Sequence, residues 1–385
     1  MYIKRLIEKT IEQVRTTFPA VVITGPRQSG KSTLLKHIIQ DPDRIVTLEN
    51  PDVRLLIMED PLFFLQSRKK PLVLDEIQYL PIITTYLKIF IDKERIPGQW
   101  FITGSQQFSV MKNVSESLAG RAAILVLPPF HLQERKDVKN LGDFMFSSSY
   151  PELCVKKNIN RTIWFSSYLQ TYLERDLRAL INVNDLKDFE QFLRLLAARA
   201  GQILNLSGIS AEMGISVPTV KRWVSALEAS YIVYLLPPLY NNYGKRIIKS
   251  PKLYFYDMGL LNYLLRMPDA QTLLNSPLAG ALFENAVVSE ILKKKLAEGI
   301  QPELYFWRSQ SGVEIDLITR ENGRFIPYEI KLSSIIRPQF FKNLAYWLAL
   351  EKDGGPGRLI TNCSQDLPMP HGIKNIHWEN LGLGG

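Results

Sequence analysis

Eight residues near the N-terminus, Gly25-Pro-Arg-Gln-Ser-Gly30-Lys31-Ser32, constrain this chain more than any other feature. They follow a short apolar run, Pro19 to Thr24, and precede a helical pattern, Thr33 to Ile39, so strand, glycine loop and helix arrive in order. Glycines let backbone N–H groups curl around phosphate oxygens, and the helix N-terminus adds partial positive charge. In that arrangement Lys31 reaches the β- and γ-phosphates and the Ser32 hydroxyl ligates Mg²⁺. Gly25, Pro26, Arg27, Gln28, Ser29, Gly30 and Thr33 complete the cradle. An α/β fold binding ATP with Mg²⁺ is expected.

A second apolar run, Pro71-Leu-Val-Leu74, ends in Asp75-Glu76 and reads as the Walker B strand. Asp75 is expected to hold the hydrated Mg²⁺, and Glu76 to polarise the attacking water. A third strand, Trp100 to Ile102, ends in Thr103-Gly104-Ser105, which places the Thr103 and Ser105 hydroxyls at the sheet edge where ligands collect. After the polar segment 106–118, Ala119-Gly120-Arg121 leads into the strand Ala122 to Leu127. Arg121 stands at the arginine-finger position of AAA+ ATPases and would reach the γ-phosphate of a neighbouring subunit, which implies a homo-oligomer. A solvated loop cation or an intramolecular ion pair is the alternative for the same residue.

These motifs, with Tyr172-Leu-Glu-Arg-Asp176 and Lys252-Leu-Tyr-Phe-Tyr-Asp-Met-Gly-Leu260, resemble bacterial and archaeal AAA+ ATPases with a C-terminal domain of unknown function numbered 4143. The resemblance covers almost the whole chain. It implies an AAA+ P-loop core over 1–135, a helical lid or connector over 136–200, a winged helix over 201–262 and a restriction-endonuclease-like α/β domain over 263–385.

The residues give their own reading of the later segments. Pro128-Pro129 closes the core, and Trp164 to Ala200 carries apolar residues three or four apart, as in long helices. Arg175 and Asp176 could signal nucleotide state from there or form an ordinary surface pair. From Asn205 come a short helix over 209–213, a turn at Gly214, and a second helix capped by Ser216 and opened by Pro218. Val220, Val224 and Leu227 face inward, leaving Thr219, Lys221, Arg222 and Ser225 outward for phosphates and base edges. Strands at 232–236 and 252–256 flank Asn241-Asn-Tyr-Gly-Lys245-Arg246, a basic wing tip. DNA, duplex or branched, is the expected partner, although winged helices also serve as protein interfaces.

Near the C-terminus, a helix over 278–292 carries Glu284, the strand Val313 to Ile318 carries Asp316, and a strand over 327–332 carries Glu329 and Lys331. Strand alternation puts Glu329 and Lys331 on one face, and hairpin pairing across Asn322-Gly323 brings Asp316 beside them. The set resembles a PD-(D/E)xK nuclease site, in which Asp316 and Glu329 would hold Mg²⁺ or Mn²⁺, Lys331 would orient water and Glu284 would be the helical acid. Val313 departs from the acidic or proline residue often found before the first carboxylate, which puts cleavage in doubt more than fold. Lys293, Lys294 and Lys295 could line a DNA track or serve the helix dipole.

Composition narrows the field. At 385 residues, 46% hydrophobic and 22% charged, the chain has room for about two to three domains. Its apolar runs are too short to span a membrane, Met1 to Phe18 lacks a signal-peptide core, and its two cysteines and four histidines have no zinc spacing, so a cytoplasmic protein is expected. A net charge of +9 favours polyanionic partners. The leading expectation is an ATPase that positions a DNA reader and a nuclease-like domain, in genome maintenance or defence. The alternative is an ATP-gated signalling or assembly switch with an inactive nuclease-like domain.

Overall fold

Strands β1 (Ala20–Thr24), β3 (Leu72–Asp75) and β4 (Trp100–Thr103) are buried at every position, as in a sheet covered on both faces. With β2 (Ile45–Thr47) and β5 (Ala122–Val126) they form a parallel sheet in the order β2-β3-β4-β1-β5. The structure is a computed structural model and describes residues 2–104, 117–156, 158–172, 186–239, 250–351, 353–365 and 368–382. Ser105, Arg175, Asp176, Lys245 and Arg246 lie outside the described residues.

Alternation along the strands fills two cores. Val21, Ile23, Val73 and Phe101 pack with Ile7 and Ile11 at α1 (Glu8–Val14) and with Leu34 and Leu35 of α2 (Lys31–Ile39). On the other face Val22, Leu74 and Ile102 meet Ile57 of α3 (Pro51–Glu59), Phe64 of α4 (Pro61–Ser67), and Ile83 and Leu87 of α5 (Ile83–Lys93). The C-terminal ends of β1, β3 and β4 thus meet at one edge, with Ile23 opposite Thr103.

Short helices α6 (Leu141–Phe146) and α7 (Pro151–Val155) lead to α8 (Arg161–Tyr172) and α9 (Leu186–Ala197). Helices α10 (Leu206–Met213) and α11 (Val217–Ala229) are joined by a turn in which Gly214 has φ +67°. The Ser216 hydroxyl accepts from the Thr219 N–H at 3.2 Å, an N-cap bond worth about 1 kcal/mol. Val220, Trp223, Val224 and Leu227 are buried along α11, and an antiparallel hairpin of β6 (Val233–Leu236) and β7 (Lys252–Phe255) follows.

After α12 (Met258–Leu264) and α13 (Ala270–Leu274) comes α14 (Ala279–Ala297), longer than the sequence pattern suggests. A second sheet follows, with strands β8 (Leu304–Arg308), β9 (Glu314–Glu321), β10 (Arg324–Ile330), β11 (Arg358–Thr361) and β12 (Lys374–His377), and α15 (Lys342–Leu350) between β10 and β11. The order is β12-β11-β10-β9-β8, antiparallel from β8 to β10 and parallel from β10 to β12. Asn322 and Gly323 turn the β9–β10 hairpin at φ +50° and +80°, the primed-turn geometry that matches strand twist. Helix α14 covers the face carrying Tyr328 and Ile330, and α15 the face carrying Ile318 and Leu359. One core runs from Phe189 through Trp223, Phe255 and Phe283 to Ile330, so the middle helices, the hairpin and the C-terminal sheet are packed as a continuous unit. Among the described residues no helix is long and apolar enough to cross a membrane.

Candidate active site

The loop after β1 has the conformation a phosphate cradle requires. Gly25 sits at φ +140°, where a Cβ would stand 2.2 Å from the Leu127 carbonyl oxygen, and Gly30 at φ +94° starts α2. Lys31 is buried, its Nζ donating to the carbonyls of Gly25 (3.0 Å) and Pro26 (2.8 Å) of its own loop. Pro26 and Ser29 are buried in the same turn, Arg27 and Ser32 are half-buried, and Gln28 and Thr33 are exposed at its mouth.

Asp75 joins loop and sheet. Its Oδ1 accepts from Ser32 Oγ at 2.9 Å and from Thr103 Oγ1 at 2.5 Å, and the Thr103 hydroxyl in turn accepts from the Glu76 N–H at 3.0 Å. Thr103 therefore fixes the Walker B acid, and its hydroxyl is buried rather than open to the crevice. Glu76 has φ +61°, a left-handed conformation costing a non-glycine residue on the order of 1 kcal/mol, which the Thr103 bond offsets. Hard oxygens of Ser32 and Asp75 at the floor of the loop fit Mg²⁺, which would neutralise charge on the β- and γ-phosphates.

Residues that sequence reasoning passed over complete the site. Arg5 is buried beneath the loop, donating to the carbonyls of Ser29 (2.8 Å) and Pro128 (2.7 Å) and lying 3.2 Å from the Glu134 carboxylate. Pro151, Glu152, Val155 and Lys156, at α7, wall a crevice of about 420 Å³ opposite Gln28, Lys31, Ser32 and Glu76. Lys156 and Trp164 hydrogen-bond Glu152 and hold its carboxyl below the ordinary range. Arg121, by contrast, precedes β5 at the other edge of the sheet, where its guanidinium grips the Asp92 carboxylate at 2.5 and 2.9 Å.

Over residues 17–136 the chain matches the model of an AAA domain, and over 279–381 that of the domain of unknown function 4143. An uncharacterized protein of Mycobacterium tuberculosis is 30% identical over 318 residues, 82% of this chain and 71% of that protein. The chain belongs to the AAA-domain ATPases with a C-terminal domain 4143. Between the two domains, residues 138–271 match another domain of unknown function, numbered 8612. An uncharacterized protein of Methanocaldococcus jannaschii is 24% identical over 370 residues, 84% of this chain and 77% of that one. Among solved structures, a Walker-type ATPase of Pyrococcus abyssi aligns with a TM-score of 0.47 at 15% identity, over 68% of this chain and 96% of that chain.

The remaining expected residues of this AAA-domain ATPase fall into two groups. On α11, Lys221 and Arg222 are exposed and Thr219 is half-buried against its Ser216 cap. Ser225 is also half-buried; it lies on the face of α11 that carries Lys221 and Arg222, and lines a crevice with Ile124 of β5, Glu228 and Tyr231. Lys293 is no part of a DNA track: it is buried, its Nζ bonded to Glu290 at 2.7 Å and to Ser149 Oγ at 3.0 Å. Lys294 donates to the Gly382 carbonyl, and Lys295 pairs with Glu298.

The second group is the C-terminal acid cluster, and it does converge. With Leu317 opposite Tyr328, Asp316 and Glu329 are the next residues inward on β9 and β10. Lys331 Nζ lies 3.1 Å from Asp316 and 2.8 Å from Glu329, and Asp316 also accepts from the Ile330 N–H at 2.8 Å. Glu284, on α14, accepts from Lys252 Nζ at 3.0 Å and from the Tyr254 hydroxyl at 2.5 Å, both on β7. Lys252 also lies 2.5 Å from Glu314. Two ammonium groups thus occupy the cluster, and among the described residues no trio of Asp, Glu, His or Cys is arranged to hold a metal. As folded, these donors do not fit Mg²⁺ or Mn²⁺ at Asp316 and Glu329.

Burial and the Asp316 charge push Glu284 up to about 7 and Glu329 up to about 8. A carboxyl whose folded pKa is raised binds its proton more tightly in the folded state, so its contribution to stability is complete below about pH 4.5 and lost as pH rises through 7 and 8. The thermal midpoint is expected to fall between pH 5 and pH 9, and to fall less in Glu329→Gln. An unchanged slope in that variant would remove Glu329 as a source of the effect.

Proposed function

We propose that ATP turnover at the P-loop repositions a DNA-binding winged helix, formed by α10, α11 and the β6–β7 hairpin, within a homo-oligomer. One observation carries the coupling. The Tyr231 hydroxyl, at the end of α11, lies 2.9 Å from Thr24 Oγ1, the last residue of β1 before the phosphate loop. Tyr231 has φ +58°, a conformation that for a bulky side chain persists only where surrounding contacts over-determine it.

A second link supports the same reading. Asp257, which caps α12 just after β7, accepts from the Ser149 N–H at 2.6 Å and Ser149 Oγ at 2.8 Å. Ser149 leads into Pro151, whose ring faces the phosphate loop at Gly30. Movement of the loop on nucleotide exchange would therefore be felt at both ends of the hairpin.

Lys221 and Arg222 would supply phosphate contacts, giving salt-dependent affinity. DNA binding should weaken as salt rises, with a log–log slope reduced by about 2 in Lys221→Glu/Arg222→Glu. Tyr231→Phe should leave that affinity intact but erase its difference between ATP-analogue and ADP states. DNA binding that the double variant leaves unchanged would sink the proposed reader. It would favour a signalling or assembly switch in which the same helices contact protein.

A further inference from the structure

The β7 lysine inside the acid cluster has no place in a metal-dependent cutter. Lys252 is 3% exposed, yet it belongs to the hairpin of the middle segment, not to the C-terminal sheet. Its Nζ is shared between Glu284 of α14 and Glu314 of β9, while Lys331 occupies the side of the cluster bounded by Asp316 and Glu329. Tyr254, two residues along the same strand, faces the same way and donates to Glu284. The strand period of two dictates that shared face.

A buried carboxylate group of this density needs a counter-charge, and either a divalent cation or ammonium groups can supply it. Here the ammonium comes from a strand outside the C-terminal sheet. We propose that Lys252 takes the cation position of the C-terminal acid cluster, clasping the β6–β7 hairpin to the domain 4143 sheet and closing the cluster to divalent metal while the hairpin is docked. The clasp joins α14, β7 and β9 through a single Nζ, and it stands apart from any contact with DNA. Removing the Lys252 charge without removing its bulk should turn a closed cluster into a cation site.

The test uses the full chain without nucleotide and Mn²⁺ alone as the probe, followed by electron paramagnetic resonance of free and bound ion. In the wild type, Asp316→Asn should leave Mn²⁺ binding unchanged. Lys252→Met should add one Mn²⁺ site to those of the wild type, and Lys252→Met/Asp316→Asn should lack it. Lys252→Arg should stay closed. A wild-type Mn²⁺ site that vanishes with Asp316→Asn would overturn the proposal, as would a folded Lys252→Met protein that gains none. Should Lys252→Met fail to fold, the charge exchange Lys252→Glu/Glu284→Lys decides the clasp. It should regain a cooperative thermal transition that each single reversal loses, and a double variant no better than the singles would overturn it.

Discussion

Glu76→Gln is expected to bind ATP and scarcely hydrolyse it, with turnover reduced by about 10²–10⁴-fold, the range for losing a positioned general base. The amide keeps the size of the side chain and leaves intact the backbone bond from the Glu76 N–H to Thr103 that fixes the turn. Its carbonyl is a far weaker base, so the attacking water loses its proton acceptor while the phosphate cradle is unchanged. Lys31→Ala should instead lose both affinity and turnover, because the ammonium now held by the Gly25 and Pro26 carbonyls is the group that would transfer to the phosphates. Steady-state phosphate release together with equilibrium nucleotide binding separates the two outcomes. Normal turnover by Glu76→Gln would remove Glu76 from the chemistry.

Arg121→Ala should lower turnover by about 10³-fold or more with little loss of ATP affinity, as expected when a charge that stabilises the transition state is withdrawn. The residue lies before β5, at the end of the sheet away from the loop that follows β1, so in the homo-oligomer proposed above it would serve the nucleotide of another subunit. Mixing gives the decisive measurement. Arg121→Ala keeps an intact phosphate loop and Lys31→Ala keeps an intact arginine, so a mixed assembly should recover activity that neither protein shows alone. If the mixture stays inactive although the proteins associate, the Asp92 pair is the whole role of Arg121.

What could be read from the chain divides by how local the determinants are. The loop at Gly25 to Ser32, the acids after β3 and the helix-turn-helix spacing each lie within a dozen residues, and their chemistry depends on the local backbone. Asp316, Glu329 and Lys331 were also legible, since the Asn322-Gly323 turn fixes hairpin register. Arg5, Tyr231 and Lys252 were not. Each acts on residues far along the chain: Arg5 on Pro128, Tyr231 on Thr24 and Lys252 on Glu284. Nothing in an arginine ahead of the first helix or a strand-starting lysine signals such a partner. Thr103 was placed correctly at the sheet edge, but its service to Asp75 needed the lateral pairing of β3 with β4. Helix α15 and strands β11 and β12 carry no local signature, and only the sheet order reveals them.

Gly259 lies far from the phosphate loop in sequence, yet a Cβ there would stand 2.5 Å from the Ser148 side chain and 2.7 Å from its Cα. Ser148 belongs to the turn that carries Pro151 to Gly30. An ATPase fragment cut after the AAA domain would therefore be missing one wall of its own nucleotide crevice, and Arg5 would remain to brace the loop alone. Dissecting this protein into independently expressed pieces is the wrong route to its enzymology: the catalytic unit in the physical sense extends to α12, and a substitution at Gly259 should surface as a defect in ATP handling.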